Sequence, residues 1–197
     1  AKKYEVPIVL DPVGCHAGAY RLSVVLDLIK TGEISLVRGN QSEIKAIYDA
    51  LSPNNQADTS TTGKGVDGGQ IEDSAVIAYR LARLINCPVV ATGEEDYVSD
   101  GTRVFTVPHG HPIMTAVTGT GCLLGAVLAA FFSAYYPCKN RLSIGEFLAY
   151  ALAYYGLAGE SAVQVSGVKP GSFSVAFMDS LYTLDDAVLM SENHIRP

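Results

Sequence analysis

The chain has 197 residues with 14 Lys and Arg against 20 Asp and Glu, a net charge of −6: enough length for one domain, and the wrong sign for a nucleic-acid-binding face. Hydrophobic residues make up 48% and the mean hydropathy is +0.21, which points to a large core or an apolar subunit interface, and so to an oligomer. The longest apolar stretch, Leu123 to Phe132, is about half of the roughly 20 residues a membrane span needs, and reads as a buried helix.

At the start, "AKKYEVPIVLDP" carries an apolar run too short for a secretory leader and closes at once on Asp-Pro. Three apolar runs closed by polar or glycine residues, "PIVLDPVG", "SLVRGN" and "PVVATG", predict buried parallel strands. Apolar residues at helical spacing over 20–32, 42–51 and 73–86 predict helices between them, so the chain alternates strand and helix as a parallel α/β sheet does. The polar segment 53–69 predicts a surface loop. Two alternating runs around Asp100-Gly101 predict a hairpin at one sheet edge. "VPHGHP" reads as a bend, with His109 and His111, like His16 earlier, as turn residues rather than metal ligands. Helices are expected after Gly119-Thr120-Gly121, across 143–163, and from about Ser172 to Asp185. Cys15, Cys87, Cys122 and Cys138 lie far apart without CxxC spacing, which fits free thiols in a reducing cytoplasm.

Open α/β sheets bind ligands beyond the carboxyl ends of their strands, and the residues there are chemically loaded. Asp11 follows the first strand, Arg38, Asn40 and Glu43 the second, and Thr92 the third; Gly119, Gly121 and Cys122 open the apolar helix. A carboxylate pair such as Asp11 and Glu43 suits Mg²⁺, directly or through water, because that hard cation takes few carboxylates plus phosphate oxygens. Arg38 suits phosphate. "TGTG" lacks the lysine of a P-loop, yet its glycines let backbone amides crowd at a helix N-terminus, where an anion is favoured. Each residue also has a plainer reading: Asp11 as a turn former, Glu43 as a first-turn helix carboxylate, Arg38 as a surface charge, Cys122 as a small core residue.

Taken in order, "VLDPVG", "VRGNQSEI", "GKGVD", "ATGEEDYVSDG", "GHPIMTAVTGTGCLLGAVLAAF" and "GSFSVAFMDSLYTL" resemble the hydroxyethylthiazole kinases, a branch of the ribokinase-like superfamily, over nearly the whole chain. GTGC with GHP ahead of it is the specific element, since other branches usually carry Asp at the position of Cys122. The resemblance implies a ribokinase-like three-layer α/β/α fold with a mostly parallel central sheet. It also implies ATP- and Mg²⁺-dependent phosphorylation of the alcohol of 4-methyl-5-(2-hydroxyethyl)thiazole, a thiamine salvage step. Carried over residue by residue, Cys122 stands beside the attacking hydroxyl and Gly119 and Gly121 form the anion hole, with Gly119 also bordering the thiazole. Arg38, Thr92 and Asn40 contact ATP, Asn40 and Glu43 belong to the NxxE metal element, and Asp11 joins the metal neighbourhood.

The family is trimeric with sites at subunit boundaries, and its members have further N-terminal strands before "PIVLDP". The resemblance therefore implies that residues 1–197 are one kinase domain lacking the family's N-terminal segment, and that Cys15-His16 stand where the family usually has small residues. Two other readings stay open: a related kinase acting on another small alcohol, and a noncatalytic nucleotide-binding piece of a larger thiamine enzyme.

Overall fold

Side-chain alternation along the strands decides the layering, because successive residues of a strand point to opposite faces of the sheet. A computed structural model describes residues 1–4, 6–52, 73–135, 141–185 and 194–196. Strand β1 (Val9–Leu10), β2 (Leu36–Asn40) and β3 (Val89–Thr92) are parallel, with Val9 opposite Leu36 and Val37 opposite Val89. Strand β4 (Asp96–Ser99) runs antiparallel to β3, and β5 (Val104–Val107) antiparallel to β4, as the Asp100-Gly101 turn predicts; the spatial order is β1-β2-β3-β4-β5.

On one face Val37, Val89 and Ala91 pack with residues of α1 (Ala19–Lys30), α2 (Gln41–Leu51) and α3 (Ser74–Ile85). On the other, Leu36, Val90 and Val98 pack beneath α4 (Thr120–Ala134), α5 (Ile144–Ser166) and α6 (Pro170–Thr183). Two apolar cores, one on each face, make a three-layer α/β/α sandwich, the architecture that alternating strands and helices imply. Among the described residues no helix is long and apolar enough to cross a membrane.

Local chemistry fixes the ends. Asn40 closes β2 and caps α2 in the same step: its side chain accepts the Glu43 amide at 2.9 Å while Glu43 Oε2 accepts the Asn40 amide at 2.8 Å, a reciprocal capping box. The Asp73 side chain accepts the Ala75 amide at 3.0 Å to start α3. Helix α5 runs past the expected end at 163 to Ser166, where Gly167 takes φ 63, and α6 starts at Pro170, two residues before Ser172, because proline suits a first helical turn. The bend "VPHGHP" tightens into a 3-10 turn over Pro112–Ala116, capped by His111, whose ring Nδ1 accepts the Ile113 amide at 3.2 Å. The polar segment 53–69 and Cys138 lie outside the described residues.

Helix α5 is the backbone of the second core. Leu148, Ala149, Leu152 and Ala153 are buried against the sheet, Tyr155 meets Phe177 edge-on at 5.0 Å, and its small residues let other segments lie directly on it. A Cβ on Gly156 would stand 2.6 Å from the carbonyl carbon of His109, closer than real Cβ atoms come. Because that neighbour is backbone, Gly156→Ala is expected to cost about 1–3 kcal/mol in urea unfolding. Gly171→Ala, with nothing within 4 Å of the new methyl, is expected to cost nothing in the same measurement.

Candidate active site

Parallel pairing of β2 with β3 sets Asn40 opposite Thr92, so Arg38, Asn40 and Thr92 gather at the carboxyl ends of adjacent strands. Arg38 is 7% exposed, which ends its reading as a surface charge. Its Nη1 donates to Asp11 Oδ2 at 2.9 Å and its Nη2 to Thr92 Oγ1 at 3.5 Å, while its buried Nε has no partner among the described residues. The guanidinium is held at two corners and leaves donor capacity for a third group.

Helix α4 points its first turn at this cation. Gly119 takes φ 99, a left-handed value that only glycine adopts without strain, and no side chain caps the helix start. The early amide donors are thus left for a ligand or water. A Cβ on Gly121 would stand 3.3 Å from Arg38 Nη2, so the glycine lets the helix approach the guanidinium. Tyr155 of α5 donates to the Thr120 carbonyl at 2.6 Å, and Thr120 Oγ1 donates to the Met114 carbonyl at 2.9 Å, fixing the helix start to its neighbours. Cys122 is exposed, so it is not a core residue; it occupies the first turn of α4.

Between the strand ends and α4 lies a cavity of ≈ 700 Å³. Arg38, Asn40, Thr92 and Gly121 of the expected residues line it; Asp11, Glu43, Gly119 and Cys122 stand outside its lining. Gly110, His111, Pro112 and Met114 form another part of its wall.

Glu43 is engaged through both oxygens: Oε1 accepts the Gly14 amide at 2.8 Å and Oε2 the Asn40 amide at 2.8 Å, so the first-turn carboxylate role is realised. Asp11 faces the same end of the sheet, and burial pushes its carboxyl up, with Arg38 opposing and the Glu43 carboxylate adding to the rise. Among the described residues no group of three His, Cys, Asp or Glu is arranged around a metal position; His16 lies in a 3-10 turn over Cys15–Ala17, and His109 and His111 lie in the loop before Pro112.

A sequence profile of the hydroxyethylthiazole kinase family matches residues 1–187. The chain belongs to that family. A hydroxyethylthiazole kinase of Streptococcus agalactiae is 42% identical over 98% of this chain and 70% of its own length, and one of Halalkalibacterium halodurans is 40% identical over 94% and 66%. The structure of a hydroxyethylthiazole kinase protein from Pyrococcus horikoshii superposes with a TM-score of 0.79 at 31% identity, covering 100% of this chain and 67% of that one. The fold is thus that of the family, and the ribokinase-like layering expected from the sequence is observed.

Among the cavity residues that the sequence does not single out, two matter chemically, Tyr155 and Asp96. Tyr155 sits mid-helix, where nothing local distinguishes it. Asp96 opens β4 immediately after the third parallel strand, in the "GEED" run, and its place after a strand end was a usable signal. Burial raises the Asp96 carboxyl from 3.8 to about 6, against a hydrogen bond from the Gly93 amide and the Arg38 charge. Because the folded-state value lies above the unfolded one, the protein binds a proton here more tightly than the unfolded chain does. Its contribution is full below pH about 4 and is lost as pH rises through about 6. Asp96→Asn, which keeps an acceptor for Gly93, is therefore expected to stabilise the protein at pH 8 by about 1–2 kcal/mol, the cavity side leaving the carboxyl partly wetted. The gain should vanish at pH 4, as read by denaturant titration at both pH values.

Proposed function

We propose that the chain is a hydroxyethylthiazole kinase, one kinase domain over residues 1–197, that transfers the γ-phosphoryl group of ATP to the hydroxyl of 4-methyl-5-(2-hydroxyethyl)thiazole in thiamine salvage. Arg38 carries the reading: a buried guanidinium that lines the cavity, at the strand ends and against the start of an uncapped helix, is built for an anion. The names of the relatives supply the alcohol and the kinase class supplies ATP.

Phosphoryl transfer asks little covalent chemistry of the protein, because a loose transition state spreads charge over the phosphoryl oxygens. The rate gain then comes from alignment, where about 7–11 kcal/mol is available, and from preorganised charge. In this reading Arg38, Thr92 and Asn40 hold ATP, and Gly119 and Gly121 leave amide donors open toward the transferring group, with Gly119 beside the thiazole. Cys122 orients the attacking hydroxyl or takes up its proton.

Asp11 and Glu43 would hold Mg²⁺, directly or through water. The donor set fits: the Glu43 carboxylate raises the cost of ionising Asp11, and Mg²⁺ takes few carboxylates with water and phosphate oxygens completing its shell. When bound, the ion supplies positive charge to the phosphates.

The same reading includes a homotrimer with sites at subunit boundaries, supported by the exposed apolar stripe of Tyr20, Val24 and Leu28, spaced four apart along α1. It also includes a cytoplasmic location, supported by free Cys15, Cys87 and exposed Cys122.

A panel of alcohols with ATP and Mg²⁺, followed by ADP release, tests the assignment. Turnover of the thiazole alcohol alone is expected; turnover of another alcohol instead, or nucleotide binding without turnover, overturns it. Within the thiazole reaction, Cys122→Asp is expected to keep substantial kcat, since a carboxylate supplies an equivalent acceptor. Cys122→Ala is expected to lose roughly 10²–10⁴-fold, the usual worth of a general base or orienting group.

A further inference from the structure

The wall formed by Gly110, His111, Pro112 and Met114 has a support that none of the roles above uses. Glu160 of α5 accepts the Gly110 amide at 2.9 Å and faces His109 Nδ1 at 3.1 Å through the same oxygen. The other ring nitrogen of His109, Nε2, lies 3.0 Å from Nδ1 of His194, which is 3% exposed. His194 arrives on the chain's last described segment, docked on β5 by paired backbone bonds between Thr106 and Arg196 at 2.7 and 2.9 Å. It lies beyond residue 187, where the family match ends.

Hydrogen counting orders the three groups. A carboxylate only accepts, so Glu160 takes both the Gly110 N–H and the His109 Nδ1–H. With the His109 proton placed on Nδ1 and Nε2 left as an acceptor, His194 Nδ1–H fills it at 3.0 Å. One continuous chain of donors and acceptors therefore runs from the C-terminal segment through His109 to α5, with Gly110 hung from its end. Gly110 has φ 131, and Gly156 brings α5 within contact of the His109 backbone, so this loop conformation depends on being held from both sides.

We propose that His194, His109 and Glu160 form a positioning relay that fixes the Gly110–Met114 wall of the cavity and sets the KM of the substrate seated on it. The relay touches no reacting atom; it acts through the loop. This rests on the kinase reading, and the test separates the two.

Turnover of the thiazole alcohol by the full chain is compared for the parent, His194→Phe and His194→Asn. Phe keeps a ring but cannot hydrogen bond, whereas the Asn amide nitrogen stands near the position of ring Nδ1 and restores the donor. His194→Phe is expected to raise the KM for at least one substrate about 5–10-fold, the worth of one intramolecular hydrogen bond, with kcat within about twofold. His194→Asn is expected to recover at least half of that loss.

A folded His194→Phe with parent KM values overturns the relay and leaves the kinase reading intact. So does a fall in apparent kcat with KM unchanged in both variants, which would mark a general loss of folded enzyme. A parent chain without turnover of any alcohol defeats the kinase reading and the relay with it. If His194→Phe does not fold, the parent decides: imidazole signals of His109 and His194 in ¹⁵N NMR are expected to shift on saturation with ATP or the alcohol. Signals unmoved by both overturn the relay.

Discussion

A buried cation organises this site. Taking a charged group out of water costs several kcal/mol even after relaxation, and among the described residues Arg38 has one carboxylate, Asp11, and one hydroxyl, Thr92, to offset it. Those two partners lie on the neighbouring chain segments of the sheet, so the Arg38 side chain ties β2 to the residue after β1 and to the end of β3. The remaining face of the guanidinium meets α4 where Gly121 has no side chain. A larger residue there would push the helix start away from the cation, and the amide donors of that turn would no longer converge with Arg38 on one cavity.

The site also depends on α5, which contributes little to the cavity lining and much to its shape. Along one stretch of that helix, Tyr155 bonds the Thr120 carbonyl, Gly156 admits the His109 backbone, Gly159 admits Met114 and Glu160 holds Gly110. Both the helix start facing Arg38 and the loop that includes His111, Pro112 and Met114 are thus referenced to a single rigid element. Small residues and hydrogen bonds from one helix can do this because its neighbouring turns lie only 5.4 Å apart.

What the sequence made legible follows from the range of the forces involved. Strands β1, β2 and β3, the hairpin and helices α1 to α6 rest on local period and local turn chemistry, and they stand where those signals place them, within a few residues at the helix ends. The residues after the strand ends were legible for a topological reason, since a parallel sheet collects them on one side. Competing readings at single residues were settled only by tertiary placement. Arg38 is buried although nothing in "SLVRGN" says so, and Cys122 is exposed although its helix is almost wholly apolar. Tyr155 and the His109–Glu160 and His109–His194 contacts were invisible because their partners lie 35, 51 and 85 residues away. No local pattern encodes a pairing of that span. The 3-10 turn at Pro112–Ala116 was hidden because its proline and flanking histidines suit an open bend equally well.

The charge balance around Arg38 leads to a further constraint on any polyanion that enters. One guanidinium stands among Asp11, Glu43, Glu94 and Asp96, so the carboxylates outnumber the cation where phosphates would approach. Adding a triphosphate to that arrangement without compensation would set like charges together in a partly desolvated cavity, where they repel far more strongly than in water. Compensation can come from a divalent cation at Asp11 and Glu43, or from protons. Asp96 is the group most ready to take a proton, because burial has already brought its carboxyl to about 6. A nearby phosphate would raise it further, so under the proposed nucleotide binding a proton lost from Asp96 on the way to neutral pH would be regained. Nucleotide affinity and proton uptake at Asp96 would then be linked quantities, because the carboxyl that weakens the fold at high pH would oppose a bound polyanion least when it is protonated.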